Sequence, residues 1–213
     1  MGTLRNGGNG AFIGKAGSFI GSTWRDISYM KGIPKISNKP KTLKQLEQQA
    51  KFATAIKFLG PIKDLLNVGF NGQTQGKASG YNMAVKFTLD NAISGEYPDF
   101  AIDYGKAMLA KGSLAAPVGA AVTAAAGDLV ITWSPELNPF NGFMDDEATV
   151  VIFDPLNNIF LSGVVGILRP EGEMTVPLPA AYLGNTVHVY LFFMSTRNSK
   201  VSNSSYAGPA VIV

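Results

Sequence analysis

The sequence predicts an α+β protein in three parts. These are a glycine-rich basic N-terminal arm (1–41), a helical hairpin with short strands (42–111) and an antiparallel β-sandwich (112–213). Three observations carry that expectation. Apolar residues recur at helical spacing between Thr42 and Gly95, and at alternating spacing from Asp99 onward. Residues 1–63 hold eleven Lys and Arg against two acids, whereas the remainder hold seven against thirteen. Eight of the 24 glycines fall within the first 40 residues, where they make an autonomous fold costly in backbone entropy.

Residues 1–17 are rich in Gly and Asn and are not expected to fold alone. From Ser18 to Ile36, Phe19, Ile20, Trp24, Ile27, Tyr29, Met30 and Ile33 stand among glycine and polar residues. That is the pattern of one or two short strands needing an external surface to bury their apolar side. Pro34 and Pro40 bracket a Lys-rich linker.

Thr42 opens a helix, with Gln45 completing a capping box. Leu46, Ala50, Ala53, Ile56 and Leu59 form its apolar stripe. Gly60-Pro61 breaks the run, Ile62 to Val68 resumes it, and residues 69–80 form a polar loop. Ser79 is a second N-cap, after which Tyr81, Val85, Leu89, Ala92 and Ile93 share a face and Gly95 fits a C′ position. Two such helices pack as an antiparallel hairpin.

Beyond Asp99, strands are predicted at 100–104, 106–111, 118–124, 128–134, 148–154, 158–165, 173–178, 186–194 and 207–213, with Gly-, Asn- and Pro-rich turns between them. Within Val187-His188-Val189-Tyr190-Leu191 the aliphatic residues point one way, and His188 and Tyr190 the other.

Composition narrows the chemistry. Zero cysteine excludes a disulfide scaffold, thiolate metal sites and cysteine catalysis, and the single histidine excludes poly-His metal sites. Gly10 to Ala16 contains Gly-Lys without phosphate-loop spacing, and Ala16 stands where a Ser or Thr would hold Mg²⁺; the segment reads as a tether. Asp145-Asp146-Glu147 reads as a solvated loop, because consecutive acids rarely converge on one ion. His188 lies on an outward strand face, with no Gly-x-Ser-x-Gly elbow in the chain, and reads as a surface or interface histidine. Glu96, Asp99 and Asp103 read as turn and strand-edge residues. No catalytic or metal-ligating residue and no cofactor is expected. No signal-length apolar run follows Met1, and Pro117 interrupts the longest nearly apolar stretch, Leu114 to Ala126. Synthesis in a cytoplasm and no membrane contact are therefore expected.

Two family resemblances enter at this point. Gly127-Asp128-Leu129-Val130-Ile131-Thr132-Trp133-Ser134 is similar to the second strand of a fibronectin type III or immunoglobulin-like (Ig-like) sandwich, with Trp133 as its core tryptophan. Val187 to Ser195, then Asn203-Ser204-Ser205 and a closing strand, resemble the last hairpin of that fold. Such modules bind or space other molecules, so the resemblance implies an architecture rather than a reaction. The second resemblance covers most of the chain. Its blocks include Gly14-Lys15-Ala16-Gly17, Gly21-Ser22-Thr23-Trp24-Arg25, Gln45 to Phe52, Phe58-Leu59-Gly60-Pro61, Tyr81 to Val85, Asn91 to Pro98 and Ile102-Asp103-Tyr104. In that order they are similar to a domain family of unknown function abundant in Bacteroidota. That resemblance implies a context of small, non-enzymatic proteins of bacteria and their phages.

The expected function is therefore a non-enzymatic structural protein of a large assembly: a phage virion component associated with capsid, portal or tail and anchored by its arm. The expected partner-binding residues are Phe19, Ile20, Trp24, Arg25, Tyr29, Lys31, Lys35 and Lys39. Large aromatics anchor interfaces, and positive charge steers docking. The expected partners are other structural proteins and copies of the same chain. A bacterial adhesion module acting through the sandwich loops is one alternative. A nucleic-acid-binding accessory protein is another, since the arm interleaves Lys and Arg with Trp24 and Tyr29. Docking on protein accounts better for Phe19, Ile20 and Ile27, which phosphate binding does not need.

Overall fold

The computed structural model describes residues 3–4, 11–24, 27–35, 39–73, 78–125 and 127–212. The described residues form a mixed α+β structure, and the chain divides into two compact units, Met1–Thr42 and Leu43–Val213.

In the first unit, strands β1 (Thr3–Leu4), β2 (Phe12–Ala16), β3 (Phe19–Trp24) and β4 (Ile27–Gly32) lie side by side in that order, all antiparallel. Residues 12–16, read from the sequence as part of a tether, pair with β3 through Lys15 opposite Ile20 and Ala16 opposite Phe19. A two-residue turn closes this hairpin, and its Gly17 takes φ 58°, a conformation that costs glycine little. Gly21 is fixed by proximity instead: a Cβ there would collide with the Phe12 carbonyl on β2.

The second unit begins with α1 (Leu43–Leu59), directly after Thr42. A 3₁₀ turn at Gly60–Ile62 leads into α2 (Lys63–Gly69), so Pro61 falls at a helix start, where its missing N–H costs nothing. Ser79 caps α3 (Gly80–Asn91), its Oγ accepting from the Asn82 amide at 3.3 Å. The helix stops short of Gly95, which lies in β5 (Ile93–Glu96) at φ 86°, paired with β6 (Asp99–Ile102).

The buried helix faces are rotated from the expected stripes. α1 buries Ala55, Phe58 and Leu59 and leaves Ala53 exposed; α3 buries Ala84, Val85 and Thr88. Phe58 sets the rotation of α1. Its ring meets Phe153 edge-on at 5.0 Å, Phe160 at 5.4 Å and Tyr104 at 5.8 Å.

Seven further strands follow: β7 (Ala121–Ala125), β8 (Asp128–Thr132), β9 (Asp146–Asp154), β10 (Ile159–Leu168), β11 (Glu173–Pro177), β12 (Thr186–Ser195) and β13 (Ser205–Val211). They form two antiparallel sheets, ordered β10-β9-β12-β13 and β11-β8-β7. Leu129 and Ile131 from the smaller sheet, with Trp133 directly after β8, share a core with Val150, Ile152, Val189, Leu191 and Phe193 from the larger. The opposite face of the larger sheet is also covered. Val151, Phe153, Tyr190 and Phe192 pack into a second core with Phe58, Leu59, Leu66 and Phe70 of the helical region. The result is three layers, helices on sheet on sheet. The face that carries Tyr190 and His188, read from the sequence as outward, lies under the helices: Tyr190 is fully buried and His188 half-buried.

Residues 106–111 form no strand. They run as an irregular segment wedged between α2 and residues 203–204. The Leu109 amide donates to Ser204 Oγ at 2.9 Å, the Lys111 amide to the Gly69 carbonyl at 2.8 Å, and the Ser204 amide to the Ala110 carbonyl at 2.9 Å. Ala107, Leu109 and Ala110 are buried there, which accounts for the strand-like apolar pattern.

One ion pair sits inside the unit. Arg169 donates from Nε and Nη2 to Asp146 Oδ2 at 3.2 and 3.0 Å, and from Nη2 to the Ala115 carbonyl at 2.9 Å. Its guanidinium lies 3.8 Å from the centroid of the Phe193 ring, and its own carbonyl accepts from Trp133 Nε1 at 2.8 Å. The acidic run is thus no solvated loop. Asp146 is fully buried, while its neighbour Asp145 pairs near the surface with Arg197. Removing one partner strands the other charge in the core, so Arg169→Met is expected to cost about 3–5 kcal/mol. Arg169→Met with Asp146→Leu should recover most of that loss. Chemical denaturation checks both, and a double variant as unstable as the single one would show that packing of Arg169, rather than its charge, is what matters.

Candidate docking surface

The N-terminal sheet is a single layer, and alternation distributes its side chains over two faces. The β3–β4 register sets Ile20 opposite Lys31, Ser22 opposite Tyr29 and Trp24 opposite Ile27 on one face. Phe19 opposite Gly32, Gly21 opposite Met30 and Thr23 opposite Ser28 occupy the other, which Phe12 joins from β2 over Gly21. Large apolar side chains therefore stand on both faces, with Trp24 at 47% exposure on the first and Met30 at 70% on the second. Gly21 is the one buried residue among those of this unit whose burial is described. Every described residue of β4, the last strand in the sheet order, is exposed.

Of the expected partner-binding residues, Ile20, Trp24, Tyr29 and Lys31 come together on one face, and Lys15 joins them through its pairing with Ile20. Phe19 lies on the reverse face. Lys35 and Lys39 are exposed beyond the sheet, and Arg25 lies outside the described residues. A hollow of about 260 Å³ opens among Ala11, Phe12, Ser28, Tyr29 and Met30. The electrostatics are one-sided, since residues 1–42 carry seven Lys and Arg against one acid.

Among the described residues of the second unit, a cluster of titratable groups surrounds His188. Its Nδ1 is 2.7 Å from the Tyr206 hydroxyl, its ring lies 4.1 Å from that of Tyr104, and the Tyr190 hydroxyl donates to the Tyr104 carbonyl at 2.8 Å. Burial holds His188 below the usual imidazole range and raises Tyr104 and Tyr206. Nearby Asp103 is held low by its hydrogen bond to Lys106, at 3.0 Å. Asp154 is another engaged carboxylate. Burial pushes it up, but donors from Asn157, Leu156 and Asn185 outweigh that and leave it below the usual range.

Among the described residues, no cluster of three His, Asp or Glu could hold a metal ion, and no helix is long and apolar enough to cross a membrane. A family match spans residues 11–208, running through the docking sheet and all three layers of the second unit. The chain belongs to the family of unknown function DUF6266. No curated protein matches its sequence.

Sequence reasoning missed a second exposed apolar feature, in the β8–β9 loop. Phe140 is 89% exposed there, and Leu137 and Met144 are also exposed. The signal was Asn138-Pro139-Phe140-Asn141-Gly142, an aromatic residue set between turn-forming residues.

His188 makes one pH dependence predictable. Its pKa is lower in the fold than the roughly 6.5 of an unfolded histidine, so the unfolded chain takes up the proton first. The stability it contributes is complete above about pH 6.5 and is lost as pH falls through the folded pKa. His188→Gln should therefore shrink the drop in thermal midpoint between about pH 7.5 and pH 5.5. An unchanged drop would assign it to the carboxylates instead.

Proposed function

We propose that this protein is a non-enzymatic structural component of a large assembly, a virion in the fullest form of the reading, held there by its N-terminal sheet. The observation that supports this most is the single-layer sheet itself, which carries apolar side chains on both faces and buries only Gly21 among its described residues. A small sheet gains independent stability when a hydrophobic face packs on something, and exposed apolar patches of this kind mark interaction sites. The excess of basic residues steers the sheet toward an acidic protein surface and makes docking sensitive to salt.

The second unit supports the same reading from the other side. The order β11-β8-β7 against β10-β9-β12-β13, with Trp133 in the shared core, fits an Ig-like sandwich of the fibronectin type III kind. Its helical layer covers one sheet face, which leaves loops and edges for contact. The buried charges support a structural role too, because Asp146, Arg169 and Asp154 are engaged in bonds that close the fold.

Deleting residues 1–42 is expected to leave a folded second unit that no longer enters the native assembly. Recovery of tagged chains in purified particles measures this, and normal incorporation of the truncated chain would rule the anchor out. Trp24→Ala should lower incorporation more than Lys35→Ala, because a large aromatic on the sheet face can carry more than about 2 kcal/mol of an interface. The reverse order would make the contact chiefly electrostatic.

A further inference from the structure

We propose that the N-terminal sheet of one copy receives the β8–β9 loop of a second copy, so that the chain assembles head to tail. The inference rests on the reading of that sheet as an anchor and names its partner. The loop is built to hold an aromatic side chain outward. Asn138 and Gly142 exchange both backbone hydrogen bonds at 2.8 Å, and the Phe140 amide donates to Asn138 Oδ1 at 2.9 Å. The loop is tied down at its base, where the Ala115 amide donates to the Asn141 carbonyl at 2.7 Å and Asn141 Nδ2 to the Ser113 carbonyl at 3.2 Å. The backbone that presents this 89% exposed side chain is already ordered, so binding has only the side chain left to fix.

Two properties match this loop to the sheet. The first is apolar complementarity. Phe140, Leu137 and Met144 need cover, and the sheet offers a hollow of about 260 Å³ lined by Phe12 and Met30. The second is charge. Asp145 and Asp146 are engaged by Arg197 and Arg169, but Glu136 stands exposed beside Leu137 with no base in residues 133–147, whereas residues 1–42 hold seven bases and one acid. The two surfaces are unlike and belong to different units of the chain. A contact between them across copies is heterologous, and its repetition closes a ring or extends a filament.

Sedimentation velocity on the full-length chain tests this. Wild type should self-associate in a concentration-dependent way at about 50 mM salt and less at about 500 mM. Phe140→Ser and Met30→Glu each alter a highly exposed side chain. Each should weaken association at least about tenfold at unchanged thermal midpoint. Leu156→Ser, exposed in the β9–β10 turn at the other end of the sheet, should leave it unchanged.

The decisive step is to mix the two arm-and-loop variants. Phe140→Ser keeps an intact sheet and Met30→Glu an intact loop, so together they should form a 1:1 heterodimer that neither forms alone. A wild-type chain that stays monomeric, or a mixture that does, overturns the inference. So does a Phe140→Ser chain that associates like wild type. If Met30→Glu alone abolishes incorporation into the native particle, the anchor stands and only its partner was misassigned. If neither variant alters association or incorporation, both readings fall.

Discussion

Strand β12 has no solvent face over most of its length, and the architecture follows from that constraint. Val187, Val189, Leu191 and Phe193 point into the core between the sheets, while Tyr190 and Phe192 point into the core beneath the helices. Its neighbour β9 behaves in the same way, with Val150 and Ile152 on one side and Val151 and Phe153 on the other. A strand apolar on both faces must be central and covered twice. The three-stranded sheet supplies one cover and the helices the other, so neither cover is optional.

The polar residues of the second unit secure the margins of this arrangement. Arg169 joins β9 to the chain leaving β10, and through its carbonyl it also holds Trp133. Asp154 gathers the β9–β10 turn and Asn185, just before β12, onto one carboxylate. Ser204 ties the approach to β13 back to the irregular segment at 109–110. Apart from those within the β9–β10 turn, these bonds join stretches far apart in sequence, and they satisfy groups that would be costly to bury unpaired.

Local patterns in the sequence were legible where a single periodicity decided the outcome. The change from helical to alternating spacing, the Ser79 cap and the division of Val187 to Leu191 between two strand faces all appear in the fold, although the face read as outward is covered by the helices. What stayed hidden depended on partners distant in the chain. Phe52 and Phe58 are the same residue on the same helix, yet only Phe58 finds Phe153 and Phe160, and so only it is buried. Asp145 and Asp146 are adjacent and identical, and it is Arg169 that sends one into the core. Ala53 looks like a stripe residue because alanine is tolerated on either face of a helix. In the N-terminal unit the apolar residues were readable as unsatisfied strands, but their division between two faces required the register. Phe140 left no periodicity, and its one signal was an aromatic residue set among turn formers.

The shared core between the helices and the larger sheet also governs how the chain is born. Helices α1 to α3 leave the ribosome well before β9 and β12 are made, at synthesis rates of roughly 5–20 residues per second. For some ten seconds, on that order, Phe58, Leu59, Leu66 and Phe70 have no sheet to lie against. The nascent helical segment is thus an apolar surface waiting for a template that arrives last. A stall in translation between residues 110 and 150 would prolong that exposure.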